Sequence, residues 1–132
     1  MFSDKERAYL ESQHLARLGT VADDMQPDVA PVGFEFDGEY FYVGGMRNSA
    51  TRKYKNVAGG NTKVALTIDD LESVDPWKPR GIRIFGTADI VERESYVGSG
   101  AYLRIKPTVT WSWQIEVSSF QDGKFVPKKT IW

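Results

Sequence analysis

The chain opens with helical spacing and then changes period. Ser3 followed by Glu6 is a capping-box pattern, in which the hydroxyl accepts from an orphan helix amide and the carboxylate reaches back. Asp4 and Glu6 stand where the helix dipole favours anions. Tyr9, Leu10, Gln13 and His14 draw a narrow stripe along one side, so a helix is predicted over 3–14. From Arg17 the apolar positions alternate as in strands. Predicted strands cover 17–22, 27–37, 39–45, 62–69, 80–92 and 102–117, with a terminal hairpin over 120–126 around Asp122-Gly123. Val29, Val32, Phe34 and Phe36 carry the second strand, and Val64, Leu66 and Ile68 the fourth. Asp23-Asp24 marks a turn, and Asp37-Gly38 is a hairpin signal. Pro31 fits an edge or a bulge, because proline cannot donate to the ladder, and Pro107 predicts a kink. Helical spacing returns over 49–57, with Ala50, Tyr54 and Val57 at i, i+4 and i+7 and Gly59-Gly60 as the stop. Strands with two short helices predict a mainly β fold, a small closed or half-closed barrel. Gly33, Gly86 and Pro31 are its bending points.

Length and composition narrow the chemistry. A chain of 132 residues is expected to form one domain, 1–132. Cysteine is absent, which excludes a disulfide scaffold, thiol catalysis and Cys-based metal sites. A single histidine excludes a His-cluster metal site. Lys+Arg is 17 and Asp+Glu 18, a balance that argues against a nucleic-acid or membrane-surface binder. The start MFSDKERAYL has no apolar signal region, and the longest apolar run is only Tyr40 to Val43. A soluble, cytoplasmic domain with no membrane partner is expected.

The segment Met46 to Lys55 holds Arg47, Arg52, Lys53 and Lys55 and no acid. It follows Gly44-Gly45, where backbone can approach a ligand closely. Ser49 and Thr51 add hydroxyls at a helix start, where an anion finds donors. Arg52 offers a planar fork and Lys53 a point charge to a phosphate. A solvated basic helix end is the plainer alternative. The acidic run Asp69 to Asp75 reads as a solvated loop. Asp75-Pro76-Trp77-Lys78-Pro79 presents Trp77 in a stiff loop, as a lid on a flat ligand, an interface residue or part of the core. His14 reads as a surface or half-buried histidine. Trp111 and Trp113 share one strand face with Ser112 opposite, as core or dimer packing or as a wall for an aromatic cofactor.

The chain resembles the pyridoxamine 5′-phosphate oxidase-like split β-barrel proteins, and within them the deazaflavin (coenzyme F-420)-dependent oxidoreductases. The resemblance is carried by Ala30 to Phe34, Tyr42 to Gly45, Ser49 to Val57, Val64 to Asp70, Asp75 to Trp77, Arg80 to Ala88, Leu103 to Pro107 and Ser112-Trp113. It implies a split barrel in which Thr51, Arg52 and Lys53 hold a cofactor phosphate, with Ser49, Gly44 and Gly45 beside them. Val32 and Gly33 would lie along the ring system. It implies a homodimer with cofactor sites at the interface, where Trp77 and Trp113 would serve the neighbouring subunit. The cofactor would be F-420 or, alternatively, FMN. The reaction implied is hydride transfer to a small unsaturated organic substrate; an FMN oxidase or flavin carrier and a non-enzymatic barrel stand as alternatives. The substrate-binding arm of the oxidase proper has no counterpart in 120–132.

Overall fold

The computed structural model describes residues 1–44, 47–95, 98–116 and 118–132. The element order is α1 (Asp4–Ser12), β1 (Leu15–Val21), β2 (Pro27–Gly33), β3 (Glu35–Phe36), β4 (Phe41–Gly44), a 3-10 turn (Asn48–Ala50), α2 (Arg52–Ala58), β5 (Lys63–Ser73), β6 (Lys78–Ser95), β7 (Gly98–Trp113), β8 (Phe120–Gln121), β9 (Lys124–Phe125) and β10 (Lys128–Ile131). One sheet runs in the order β2-β1-β5-β6-β7-β4-β3, with β10 also paired to β7, and every pairing in it is antiparallel. The two edges of this order, β2 and β3, are consecutive in the chain and separated by Phe34 alone. The sheet therefore curls until its edges meet through the covalent chain rather than through a ladder. This is the split β-barrel.

Alternation decides what the barrel encloses. Leu18, Leu66, Ile68, Ile82, Ile84, Leu103 and Ile105 point inward and are buried, with Phe41 and Val43 of β4. Their outward neighbours in β5 are half-buried or exposed. A register shift between Phe85 and Gly86, opposite Pro107, re-aims β6 and β7 midway. The Cβ that Gly86 lacks would lie 2.6 Å from the Lys106 carbonyl oxygen.

Helix α1 closes one end. Its capping box is complete: Ser3 Oγ accepts from the Glu6 amide, and Glu6 Oε1 accepts from the Ser3 amide at 2.9 Å. Glu6 is only 1% exposed, and Lys128 Nζ of β10 donates to it at 3.1 Å. Tyr9 Oη donates to Asp70 Oδ1 at 2.8 Å, and Arg80 grips the same carboxylate through two nitrogens at 2.8 and 3.0 Å. Phe2, Tyr9 and Leu10 complete the core beneath the helix.

Several boundaries differ from expectation. The 3–14 helix ends at Ser12. The 27–37 strand breaks at Phe34 into β2 and β3, which lets the chain pass from one sheet edge to the other. The acidic run over 69–75 is no solvated loop: β5 continues to Ser73 because Asp70 lies opposite Arg80 in the ladder. The 49–57 helix is two pieces, since Thr51 is extended at φ −85°, ψ 155° and caps α2. Strand β7 stops at Trp113, where Gln114 takes φ 57°. Val117, the expected end of that strand, lies outside the described residues. Strand β10 escapes prediction because Lys128 to Ile131 has no strand periodicity of its own and is ordered by pairing with β7. No helix of the described residues is long and apolar enough to cross a membrane.

Candidate functional site

A cavity of about 690 Å³ opens at the split in the barrel, a volume in the range of small-molecule sites. Its long wall is the segment Pro31 to Phe36, which spans roughly 16 Å at strand rise. Tyr42 to Gly44 of β4 and Tyr102 of β7 form the floor, and Asn48, Thr51 and Lys53 close one end. Arg7, Leu10, Glu11, Gln13 and His14 of α1 and its C-terminal exit line it as well.

Of the residues singled out in the sequence, the cavity gathers Val32, Gly33, Gly44, Thr51 and Lys53. Val32 is buried beneath the wall. Nothing lies within 4 Å of where a Gly33 Cβ would stand, so the strand there presents bare backbone to open space. Gly44 has φ 147°, and a Cβ would meet Asn48 Nδ2 at 2.7 Å and the Ala101 carbonyl oxygen at 2.8 Å. The missing side chain lets Asn48, itself buried, donate to Ala101 O at 2.9 Å and tie the 3-10 turn to β7. Gly45 and Met46 lie outside the described residues.

The basic segment divides. Lys53 is half-buried in the cavity wall, and no ion pair involves it among the described residues. Burial pulls its ammonium pKa down, with the Asp28 carboxylate opposing. Arg52, Ser49, Arg47 and Lys55 are exposed and do not line the cavity. Thr51 spends its hydroxyl hydrogen on the Asn48 carbonyl at 2.6 Å while accepting from the Tyr54 amide. Its hydroxyl thus caps α2.

The two tryptophans stand apart from this cavity. Trp77 sits in the β5–β6 turn, 66% exposed. Trp113 is on the outer face of β7, laid over Gly81, whose absent Cβ would fall 2.7 Å from the indole. Its ring meets Phe125 edge-on at 6.5 Å.

Other residues came into the site without a sequence signal. Glu35 lines the cavity and pairs with Arg93, whose guanidinium lies 4.0 Å from the Tyr42 ring centroid. The second Glu35 oxygen, Oε1, is buried and has no hydrogen-bond partner among the described residues. Tyr42 donates to Asp37 at 3.0 Å, and burial together with that carboxylate raises its pKa. Tyr102 donates to the Gly98 carbonyl at 2.7 Å. The ladder partners Glu35 and Tyr42 sit opposite each other in the β3–β4 register. The only sequence trace of them is the Asp37-Gly38 hairpin that sets this register.

A split barrel with an open cavity that Lys53 and Gly33 both line defines a class, and comparison with known proteins identifies the fold. The model of the pyridoxamine 5′-phosphate oxidase family matches residues 2–120, and the chain belongs to that family. It is 35% identical over 122 residues, 87% of this chain and 84% of the relative, to a 5a,11a-dehydrotetracycline/5a,11a-dehydrooxytetracycline reductase of Streptomyces rimosus. A solved F420 reductase superposes with a TM-score of 0.65 at 20% identity, covering 83% of this chain and 98% of that one. The haem storage protein HutZ of Vibrio cholerae superposes with a TM-score of 0.61 at 16% identity, covering 76% and 86%. Those two structural likenesses speak for the fold alone.

Proposed function

We propose that the protein is an oxidoreductase that reduces a small unsaturated organic substrate with hydride from a deazaflavin of the F-420 type. The observation that carries the proposal is Lys53, a half-buried ammonium without an ion pair among the described residues, lining a cavity that the strand at Gly33 leaves open. Such a charge is compensated by a ligand anion. The reductase relative supplies the reaction type.

The residues present suit a phosphorylated tricyclic cofactor. The cavity is long enough for a ring and a ribityl chain in line, Lys53 meets the phosphate, and Gly33 leaves room for a flat ring against the strand. When bound, the reduced cofactor supplies the hydride. The chain contributes position and shelter: Leu10, Phe34 and Phe36 line the cavity and keep water from the reacting carbons. FMN shares the ring, chain and phosphate, so Lys53 accepts either. The outer cations Arg47, Arg52 and Lys55 favour the deazaflavin, whose tail carries further negative charge. Titration of the apo-protein with each cofactor at low and high salt tests this. Tighter deazaflavin binding that weakens as salt rises is expected; tighter, salt-insensitive FMN binding would shift the proposal to a flavin enzyme.

We also propose that the protein works as a homodimer paired through the outer sheet face. The ladder aligns Val29, Gly19, Ala65, Phe85, Val109 and Ile131 in one apolar row across six strands. Val29, Phe85 and Ile131 are 72%, 44% and 75% exposed in the single chain. An apolar row of this length is a surface that a second copy would cover. Light scattering should give twice the chain mass, falling to the chain mass for a Val29→Lys/Phe85→Lys variant.

A further inference from the structure

We propose that His14 is the proton donor of the reduction, a catalytic residue supplied by the exit of α1; the proposal rests on the reductase function above. His14 is the only histidine of the chain. It lines the cavity at the rim, and it precedes Leu15, the ladder partner of Gly33. Directly opposed residues of an antiparallel pair stand roughly 4.5–5.5 Å apart between Cα atoms. The backbone of His14 is therefore joined to the residue that pairs with Gly33, and both line the same cavity.

The titratable and charged groups that share the cavity are Arg7 and Glu11 from α1, Glu35 from β3, Tyr42 from β4, Lys53 from α2 and Tyr102 from β7. None of them is placed to give a proton near neutral pH. Tyr42 and Tyr102 have committed their hydroxyl hydrogens to Asp37 and to the Gly98 carbonyl. Glu35 is the ion-pair partner of Arg93. Guanidinium does not release a proton. Lys53 is assigned to the anion end. Imidazole is the side chain that carries a transferable proton near neutrality.

The step balances. An alkene carbon conjugated to a carbonyl gains hydride, the π pair moves toward the carbonyl to give an enolate, and the imidazolium N–H proton is taken by the α-carbon. With a bound reduced cofactor supplying the two electrons as hydride, the alkene would gain two C–H bonds, and neutral His14 would regain its proton from water at the exposed rim.

Three measurements on full-length protein test this. Oxidised deazaflavin should bind the wild type and His14→Gln alike, within about twofold, because the imidazole serves the substrate. With reduced deazaflavin and 5a,11a-dehydrotetracycline as the probe, the wild-type rate should depend on pH. His14→Gln should be slower by about a hundredfold or more, with a flat profile, and His14→Ala should regain rate with added imidazole. In the wild type labelled at its single histidine, the imidazole nitrogen signals should move when the probe joins the cofactor-loaded protein. Equal rates and pH profiles for His14→Gln, or unmoved imidazole signals, overturn the proposal and leave the reductase function standing. Failure of the wild type to bind deazaflavin or to reduce the probe overturns the function first, and the proton donor with it.

Discussion

Replacing Lys53 by methionine separates the anion end of the cavity from the fold. Methionine keeps an unbranched stem to cover the wall and removes only the charge. A hydrogen bond between a charged donor and a phosphate contributes about 1.5–3 kcal/mol. At 1.4 kcal/mol per tenfold, Lys53→Met should weaken cofactor binding roughly 10- to 150-fold. The exposed Arg52 is screened, so Arg52→Ala should cost at most about fivefold. Stability should move the other way. Burial holds the Lys53 pKa below its ordinary 10.5, so the charged form is disfavoured in the fold. That penalty is present below the folded pKa and disappears as pH rises through it toward the unfolded value. Free Lys53→Met should therefore melt no lower than wild type at pH 7. Wild-type affinity should decline as alkaline pH deprotonates Lys53. Quenching of flavin or deazaflavin fluorescence gives the affinities, and scanning calorimetry the melting. Wild-type affinity in Lys53→Met, with the salt dependence unchanged, would refute the assignment of the anion end.

Burial raises the Glu6 pKa, but hydrogen bonds from Ser112, the Ser3 amide and Lys128, with the Lys128 charge, outweigh it and leave the value below 4.5. Its stabilisation is thus present above that value and lost as pH falls through the folded pKa, so Glu6→Gln should cost about 1–3 kcal/mol at pH 7 and almost nothing near pH 2 in urea unfolding. Gly44→Ala places a methyl against Asn48 and Ala101 at a positive φ; calorimetry should show a loss of about 1–3 kcal/mol, and unchanged stability would show that the 3-10 turn yields. Tyr9→Phe removes one hydrogen bond to Asp70 while Arg80 keeps its grip, so denaturant melts should register about 0.5–1.5 kcal/mol with cofactor affinity intact.

What the sequence determined by itself is what neighbours a few residues apart can settle. The Ser3–Glu6 box starts α1 because both partners lie within one turn. Alternation at Val64, Leu66 and Ile68 chooses the buried face of β5 whatever pairs with it. The hairpin at Asp37-Gly38 needs only its own turn, and the run from Arg47 to Lys55 announces positive charge. Which of those charges turns inward was not legible, since one residue along a helix rotates a side chain by about 100° and only packing against β1 and β6 decides that Lys53 faces the cavity while Arg52 faces water. The acidic run after Ile68 looked like a loop because its partner, Arg80, arrives only when β6 folds back. Glu6 looked like a capping residue on a solvated helix, yet Lys128, 122 residues away, lets it be buried. The α1 lining and His14 belong to this second kind: their place in one cavity with Gly33 comes from the β1–β2 register and the curl that joins β2 to β3, long-range contacts that leave no local pattern in the chain.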